Sequence, residues 1–160
     1  MKAPEPVHVV KQRREGLLRT LVNGVPYIRF LGVEFDRRGD ELTAVLPFRD
    51  GLIGNPRLPA LHGGATAAFL EIDAMIELAW STLWDGVEAD GALPEGPLRL
   101  PKTIDFTIDY LRAGLPRDAY ARARVKRKLM ERDRRYEHSP GQGQCFFAGF
   151  AGTAGTPALL

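Results

Sequence analysis

Glu71 is the residue of this sequence best placed to do chemistry. It lies in the segment His62 to Leu83, dense in alanine, leucine, isoleucine and methionine, the composition of a helix rather than a strand. At about 100° per residue, Thr66, Asp73, Glu77 and Ser81 fall within a stripe of about 80°, which gives the helix one polar edge. Asp73 and Glu77, spaced i, i+4, read there as an exposed, solvated pair. Glu71 stands about 140° from Thr66, among Ala67, Ala74, Met75 and Leu78. A carboxylate on a buried face is costly unless it is paired or put to use. The wheel leaves three readings open: a catalytic carboxylate, a satisfied structural one, or a second exposed edge. A catalytic one would serve as a general base or as a nucleophile.

The start of the same helix adds a second chemical element. His62-Gly63-Gly64 follows a loop, so free backbone N–H groups and the positive end of the helix dipole converge there. Such an N–H can bind a carbonyl oxygen as it gains negative charge, the task of an oxyanion hole. A plain helix start explains the glycines equally well, and a lone histidine there is more often a cap than a base. Glu71 follows His62 by nine positions, about 13 Å along the axis. One carbonyl cannot touch both ends within one subunit, so a shared site would join the glycines of one subunit to the glutamate of another. No second histidine or cysteine stands at metal-ligand spacing, and Asp73 shares no face with Glu71, so no metal site is expected.

The rest of the composition narrows the class. The chain has 160 residues, 44% hydrophobic and 26% charged, ordinary values for one soluble domain with a real core. A net charge of +2 does not by itself imply nucleic acid. No apolar run is long enough to span a membrane, and the N-terminus lacks a secretory core, so a cytoplasmic address is expected. The single cysteine, Cys145, reads as a core residue in the run CFFAGFA. Charge is uneven, however. From Arg112 to Arg135 there are ten Lys/Arg against three Asp/Glu, leaving twelve basic and seventeen acidic residues elsewhere. That segment is a candidate site for an anionic ligand. It lacks interleaved aromatics for stacking bases, which argues against nucleic acid.

Residues 1–10, with two prolines, read as a tail, and Lys11 to Val22 as a helix stopped by Asn23-Gly24. The first 26 residues are set apart from a domain over 27–155. Tyr27 to Phe35 and Glu41 to Phe48 read as strands joined by a turn at Asp36 to Asp40, followed by the glycine- and proline-rich loop RDGLIGNPRLPAL. After the long helix, 84–100 reads as an irregular connection. Three further strands are expected at Lys102 to Leu111, Ala119 to about Arg132, and Gln144 to about Thr153, the last two joined by a loop around Ser139-Pro140-Gly141. An antiparallel sheet wrapped around one long central helix, an α+β arrangement, satisfies this order. A helix covered in this way is apolar nearly all round.

These features have a counterpart in a known family. The run NPRLPALHGGATAAFLEIDAMIELA resembles the signature of PaaI-type hot-dog thioesterases, in the 4-hydroxybenzoyl-CoA thioesterase-like superfamily. TIDFTIDYLRAG resembles the strand after their helix, and FFAGFAGTAG their last strand. The resemblance implies a hot-dog fold and hydrolysis of an acyl-CoA thioester, with CoA part of the substrate and no separate cofactor. It implies Glu71 as the catalytic carboxylate and Gly63 or Gly64 as donor to the thioester oxygen. Asn55 and His62 would position water and carbonyl, and Thr103 would line the site. Sites shared across a homodimer, with tetramers of dimers common, are also implied. The chain departs from the family in three ways: Glu71 where many members carry Asp, a longer loop between Asn55 and His62, and Ala113 in place of a proline after a long 84–100 connection.

Anionic CoA phosphates would lie on Arg112, Arg122, Arg124, Lys126 and Lys128, of which 122 to 128 share one strand face by alternation. For any one of them, a solvated outer face explains the charge as well. Met75, Leu78, Trp80 and Trp84 are expected to shape the acyl pocket. Two rivals stand beside hydrolysis: a non-catalytic acyl-CoA binder, and a hot-dog dehydratase with His62 in an acid–base role.

Overall fold

The computed structural model describes residues 6–38, 41–90, 100–129 and 142–147, without the side chains of 85–90, 126–129 and 142–147. Helix α1 (Val7–Asn23) starts inside the stretch read as a tail, because the Pro6 carbonyl accepts bonds from the Val9 and Val10 N–H groups. It ends at Gly24, where Asn23-Gly24 was expected to stop it. Its Leu17, Leu18 and Leu21 are buried in the main core.

The strand expected from Tyr27 to Phe35 is not formed as such. Helix α2 (Pro26–Leu31) occupies most of it, and β1 (Glu34–Arg38) follows. The reason is local. Pro26 sits in the first helical turn, where its fixed φ suits a start and its missing N–H costs nothing. Gly32, at φ 72°, then closes the helix in a left-handed cap that other residues adopt at a cost. Strand β2 (Glu41–Leu46) lies where expected and pairs antiparallel with β1, with residues 39–40 of the turn outside the described residues. Its other edge pairs with β5 (Ala119–Ala121), which sets Ala44 against Ala121 and Leu46 against Ala119. All four are buried.

The glycine- and proline-rich loop is more structured than its composition suggests. A 3₁₀ turn (Asp50–Leu52) leads into β3 (Ile53–Asn55), which pairs with β4 (Ala60–Leu61) immediately before the long helix α3 (Gly63–Asp90). Helix α3 runs on through residues read as irregular connection. Trp84 continues its buried stripe, and Gly86 weakens a helix without stopping it. Residues 91–99 lie outside the described residues. After Ala121 the chain continues into β6 (Ala123–Leu129), paired antiparallel with β7 (Gln142–Phe147). The loop at Ser139–Gly141, the end of the last expected strand and the Cys145 side chain lie outside the description.

Strands β2, β6 and β7 pack on α3, with α1 against another side of the same helix. This is the expected α+β architecture, antiparallel strands packed on one long helix, although among the described residues they form three ladders, β1-β2-β5, β3-β4 and β6-β7. The expected strand at 102–111 departs from it, having no ladder partner and no backbone hydrogen bond among the described residues. Phe106 and Ile108 keep a half-buried alternation, but no strand among the described residues closes the ladder. Instead, Tyr110 ties the segment to Gly63, and just beyond it the Gly114 carbonyl accepts from the Leu61 N–H and the Asp118 carboxylate from the Phe48 N–H at 2.7 Å.

Because α1 supplies core rather than a separate tail, Leu21→Ala, at a residue 1% exposed, is expected to cost about 2–5 kcal/mol. Urea unfolding measures it; a loss below about 1 kcal/mol would mean that α1 is only loosely attached.

Candidate active site

The turn that opens α3 is built around His62. Its N–H donates to the Leu52 carbonyl at 2.8 Å, which fixes the chain entering the helix. Its carbonyl accepts from the Thr66 N–H at 3.0 Å. Its ring Nδ1 accepts from the Gly64 N–H at 3.0 Å, so His62 is the side-chain cap of the helix. Two glycines make room for that arrangement. A Cβ at Gly54 would stand 2.7 Å from the His62 Cα and 2.9 Å from its Cδ2, and one at Gly64 would stand 3.0 Å from Nδ1. Of the two candidate backbone donors, Gly64 is therefore engaged. The Gly63 N–H has no hydrogen-bond partner among the described residues.

Helix α3 divides into two faces. Phe69, Ile72, Ile76, Ala79, Trp80 and Trp84 form its buried stripe. Glu71 lies about 160° around the helix from Phe69, on the opposite face. There, Ala67, Leu70, Ala74 and Met75 are half-buried and Leu78 is 8% exposed. Glu71 is itself half-buried and has no hydrogen bond or ion pair among the described residues. Among the described residues, an apolar face with one unpartnered carboxylate is thus only partly covered. The glycine turn and Glu71 remain about 13 Å apart along the axis, as the helical rise requires.

Asp73 overturns the expectation of a solvated pair. It is completely buried, and neither carboxylate oxygen has a hydrogen-bond partner among the described residues. Burial, with a smaller contribution from the charge of Glu77, pushes its carboxyl up to about 8. The wheel assigned Asp73 to a polar edge correctly but could not see what covers that edge. Trp80 and Trp84 follow Asp73 and Glu77 at i+7 on the same stripe, and Arg14 of α1 lies 4.3 Å from the Trp84 ring centroid and 5.9 Å from that of Trp80. The two tryptophans expected in the acyl pocket therefore pack in the core beneath α1. Met75 and Leu78 stay on the face of Glu71.

The remaining expected residues are scattered. The Asn55 side-chain Oδ1 accepts from the Arg57 N–H at 3.0 Å, holding its own hairpin turn. Thr103, Arg112 and Arg124 are exposed. Arg122 is half-buried and engaged, donating to Thr43 Oγ1 at 2.8 Å and to Glu41 Oε2 at 3.0 Å. The register of β6 shifts between Val125 and Arg127, so simple alternation does not carry one face from 122 to 128. The side chains of Lys126 and Lys128 lie outside the described residues. Sequence reasoning missed Tyr110, whose hydroxyl donates to the Gly63 carbonyl at 2.8 Å, and Gly54. Tyr110 stands in a quoted motif, but a pairing across 47 positions leaves no local signal.

No family model matches the chain, and no curated protein matches it. Solved structures do. A thioesterase-superfamily protein superposes with a TM-score of 0.56 at 22% identity, over 72% of this chain and 76% of its own. A Shewanella oneidensis protein related to the thioesterase superfamily gives 0.54 at 22% identity, over 74% and 78%. A Pseudomonas aeruginosa protein gives 0.50 at 22% identity, over 88% of both chains. The likeness is one of fold: this chain shares the α+β hot-dog fold of these structures.

Asp73 gives this fold a pH dependence whose sign is fixed. An unfolded aspartate ionises near pH 4, whereas Asp73 in the folded chain keeps its proton to about 8. Unfolding therefore becomes easier as pH rises from about 4, by ~1.4 kcal/mol per unit, and the loss is complete above about 8. Asp73→Asn is expected to be the more stable protein at pH 8, by about 2 kcal/mol or more, with the gap closing toward pH 4. Urea titrations across that range read it out, and a gap independent of pH would contradict the buried, protonated carboxyl.

Proposed function

We propose that this chain hydrolyses an acyl-CoA thioester to the free acid and CoA. The observation that carries the proposal is Glu71: a half-buried carboxylate on an apolar face of α3, without a hydrogen bond or ion pair among the described residues. In this mechanism Glu71 takes a proton from water as the oxygen attacks the thioester carbon. The carbonyl oxygen gains negative charge and is met by the free N–H of Gly63, at the positive end of α3. The intermediate then collapses, the C–S bond breaks, and the thiolate leaves to be protonated. Direct attack by Glu71, forming an anhydride that water opens, uses the same groups.

Two copies of the chain complete the site. Along one helix the donor and the base are too far apart, so we place the Gly63 turn of one subunit beside Glu71 of the other. Two surfaces support this: the half-buried apolar face of α3, and the 102–111 segment, whose backbone groups have no partners within the described chain. A two-fold pairing is the commonest closed form for such an interface. Asn55 and His62 near the turn, and Thr103 on that segment, are proposed to border the thioester, with Met75 beside the acyl chain. Arg112 and Arg124, both exposed, join Lys126 and Lys128 as candidates for the CoA phosphates. Arg122 would first have to release Glu41. The address proposed is cytoplasmic; among the described residues no helix is long and apolar enough to cross a membrane.

Glu71→Gln is expected to fold normally and to lower turnover by about two orders of magnitude, the scale of lost acid–base catalysis. Release of free thiol from a panel of acyl-CoA thioesters is the assay. Undiminished release by the folded variant would remove Glu71 from the mechanism, and wild-type binding without any release would favour a non-catalytic acyl-CoA binder.

A shared site makes a further demand. Mixing Glu71→Gln with Gly63→Val under subunit exchange is expected to restore part of the activity, because one site of the heterodimer escapes both lesions. An active species sedimenting at monomer mass, or no recovery despite demonstrated exchange, refutes the shared site.

A further inference from the structure

Tyr110 and His62 are linked through a single peptide group. The Tyr110 hydroxyl donates to the Gly63 carbonyl at 2.8 Å, and the N–H of that same peptide unit, on Gly64, donates to His62 Nδ1 at 3.0 Å. The tyrosine ring also lies against the turn, since a Cβ on Gly63 would stand 3.5 Å from its Cε1, Cζ and hydroxyl oxygen. Hydrogen bonds in series polarise one another, each by perhaps 10–30%. A proton given to the Gly63 oxygen draws electron density through the peptide and makes the Gly64 N–H the stronger donor. The ring that receives this bond has Nδ1 as its acceptor. A neutral imidazole in that state carries its proton on Nε2.

Packing holds the ring in place. Gly54 flanks it at Cδ2, and Gly64 flanks it at Nδ1 and Cε1, where an added Cβ would stand only 2.9 to 3.1 Å away. His62 is otherwise exposed, and no hydrogen bond engages Nε2 among the described residues. The unengaged N–H of Gly63 belongs to the adjoining peptide. The turn thus has two unused donors, one on the backbone and one on the ring.

We propose that Tyr110 is a positioning residue: through the Gly63–Gly64 peptide it sets the tautomer of His62, so that Nε2–H stands beside the Gly63 N–H as a second donor to the thioester oxygen. The second half of this statement rests on the thioesterase function proposed above, while the first half does not. Tyr110 touches no substrate in this scheme. It acts by fixing which ring nitrogen holds the proton, at no cost to the charge of the site.

The test separates the two halves. Nitrogen-15 correlation spectra of the full chain at neutral pH report the tautomer, and His62→Gln assigns the signals among the three histidines. The wild type is expected to show His62 protonated on Nε2 alone. Tyr110→Phe, which loses only the hydroxyl, is expected to show a mixture of tautomers. Gly64→Ala is expected to give the same mixture by a second route, pressing a methyl on Nδ1. On the acyl-CoA that the wild type cleaves fastest, Tyr110→Phe is expected to lower kcat about fivefold, the scale of one neutral hydrogen bond, with KM unchanged. An unchanged single tautomer in both variants overturns the proposal, as does a shifted tautomer with kcat intact. A wild type that cleaves no acyl-CoA, with the tautomer still dependent on Tyr110, would sink the thioesterase reading and uphold the positioning of His62.

Discussion

A helix that is apolar nearly all round has to be covered all round, and the rest of this structure follows from that constraint. Helix α3 buries Phe69, Ile72 and Ile76 against the core formed with the strands, and Trp80 and Trp84 beneath α1. The other half of its circumference is as rich in alanine, leucine and methionine but is only half-buried. Desolvating apolar surface is worth roughly 25 cal/mol per Å², so a face of this kind favours a partner.

The entry to α3 obeys a different constraint, close approach of backbone to ring. A helix start leaves its first N–H groups without partners, and most helices meet them with a serine, threonine or aspartate. Here a histidine does so, and it fits only because positions 54 and 64 carry no Cβ. The cap meets one of the orphan donors and leaves that of Gly63 open. A purely structural cap and an anion-binding turn are thus the same object, differing in which N–H is left over.

Asp73 is the local rule that the fold breaks. An unsatisfied carboxyl in a core destabilises it, and retaining the proton is the least expensive way to remain there. Glu77, one turn away, reinforces that choice. Arg14 lies over the faces of Trp84 and Trp80, an interaction worth about 0.5–2 kcal/mol. Nothing in the described residues satisfies the Asp73 oxygens, so the core is stable despite this group rather than because of it.

Periodicity and punctuation made much of the architecture legible in the sequence. The long helix, the strand from Glu41, the stop at Asn23-Gly24 and the odd angular position of Glu71 all arise from spacing along one element. Local chemistry also held the α2 correction, since Pro26 and Gly32 mark a helix that the apolar run of Tyr27 to Phe35 disguised. Tertiary structure decided what no single element encodes. Asp73 and Glu71 are two residues apart and both acidic, and only the packing of other segments around α3 makes one the buried acid and the other the half-buried one. The engagement of Gly64 rather than Gly63, the seating of His62 between Gly54 and Gly64, and the reach of Tyr110 across 47 positions depend on distances between elements. Spacing within a helix is set by its own hydrogen bonds, but which face is covered, and by what, is set by the packing of segments far apart in the chain.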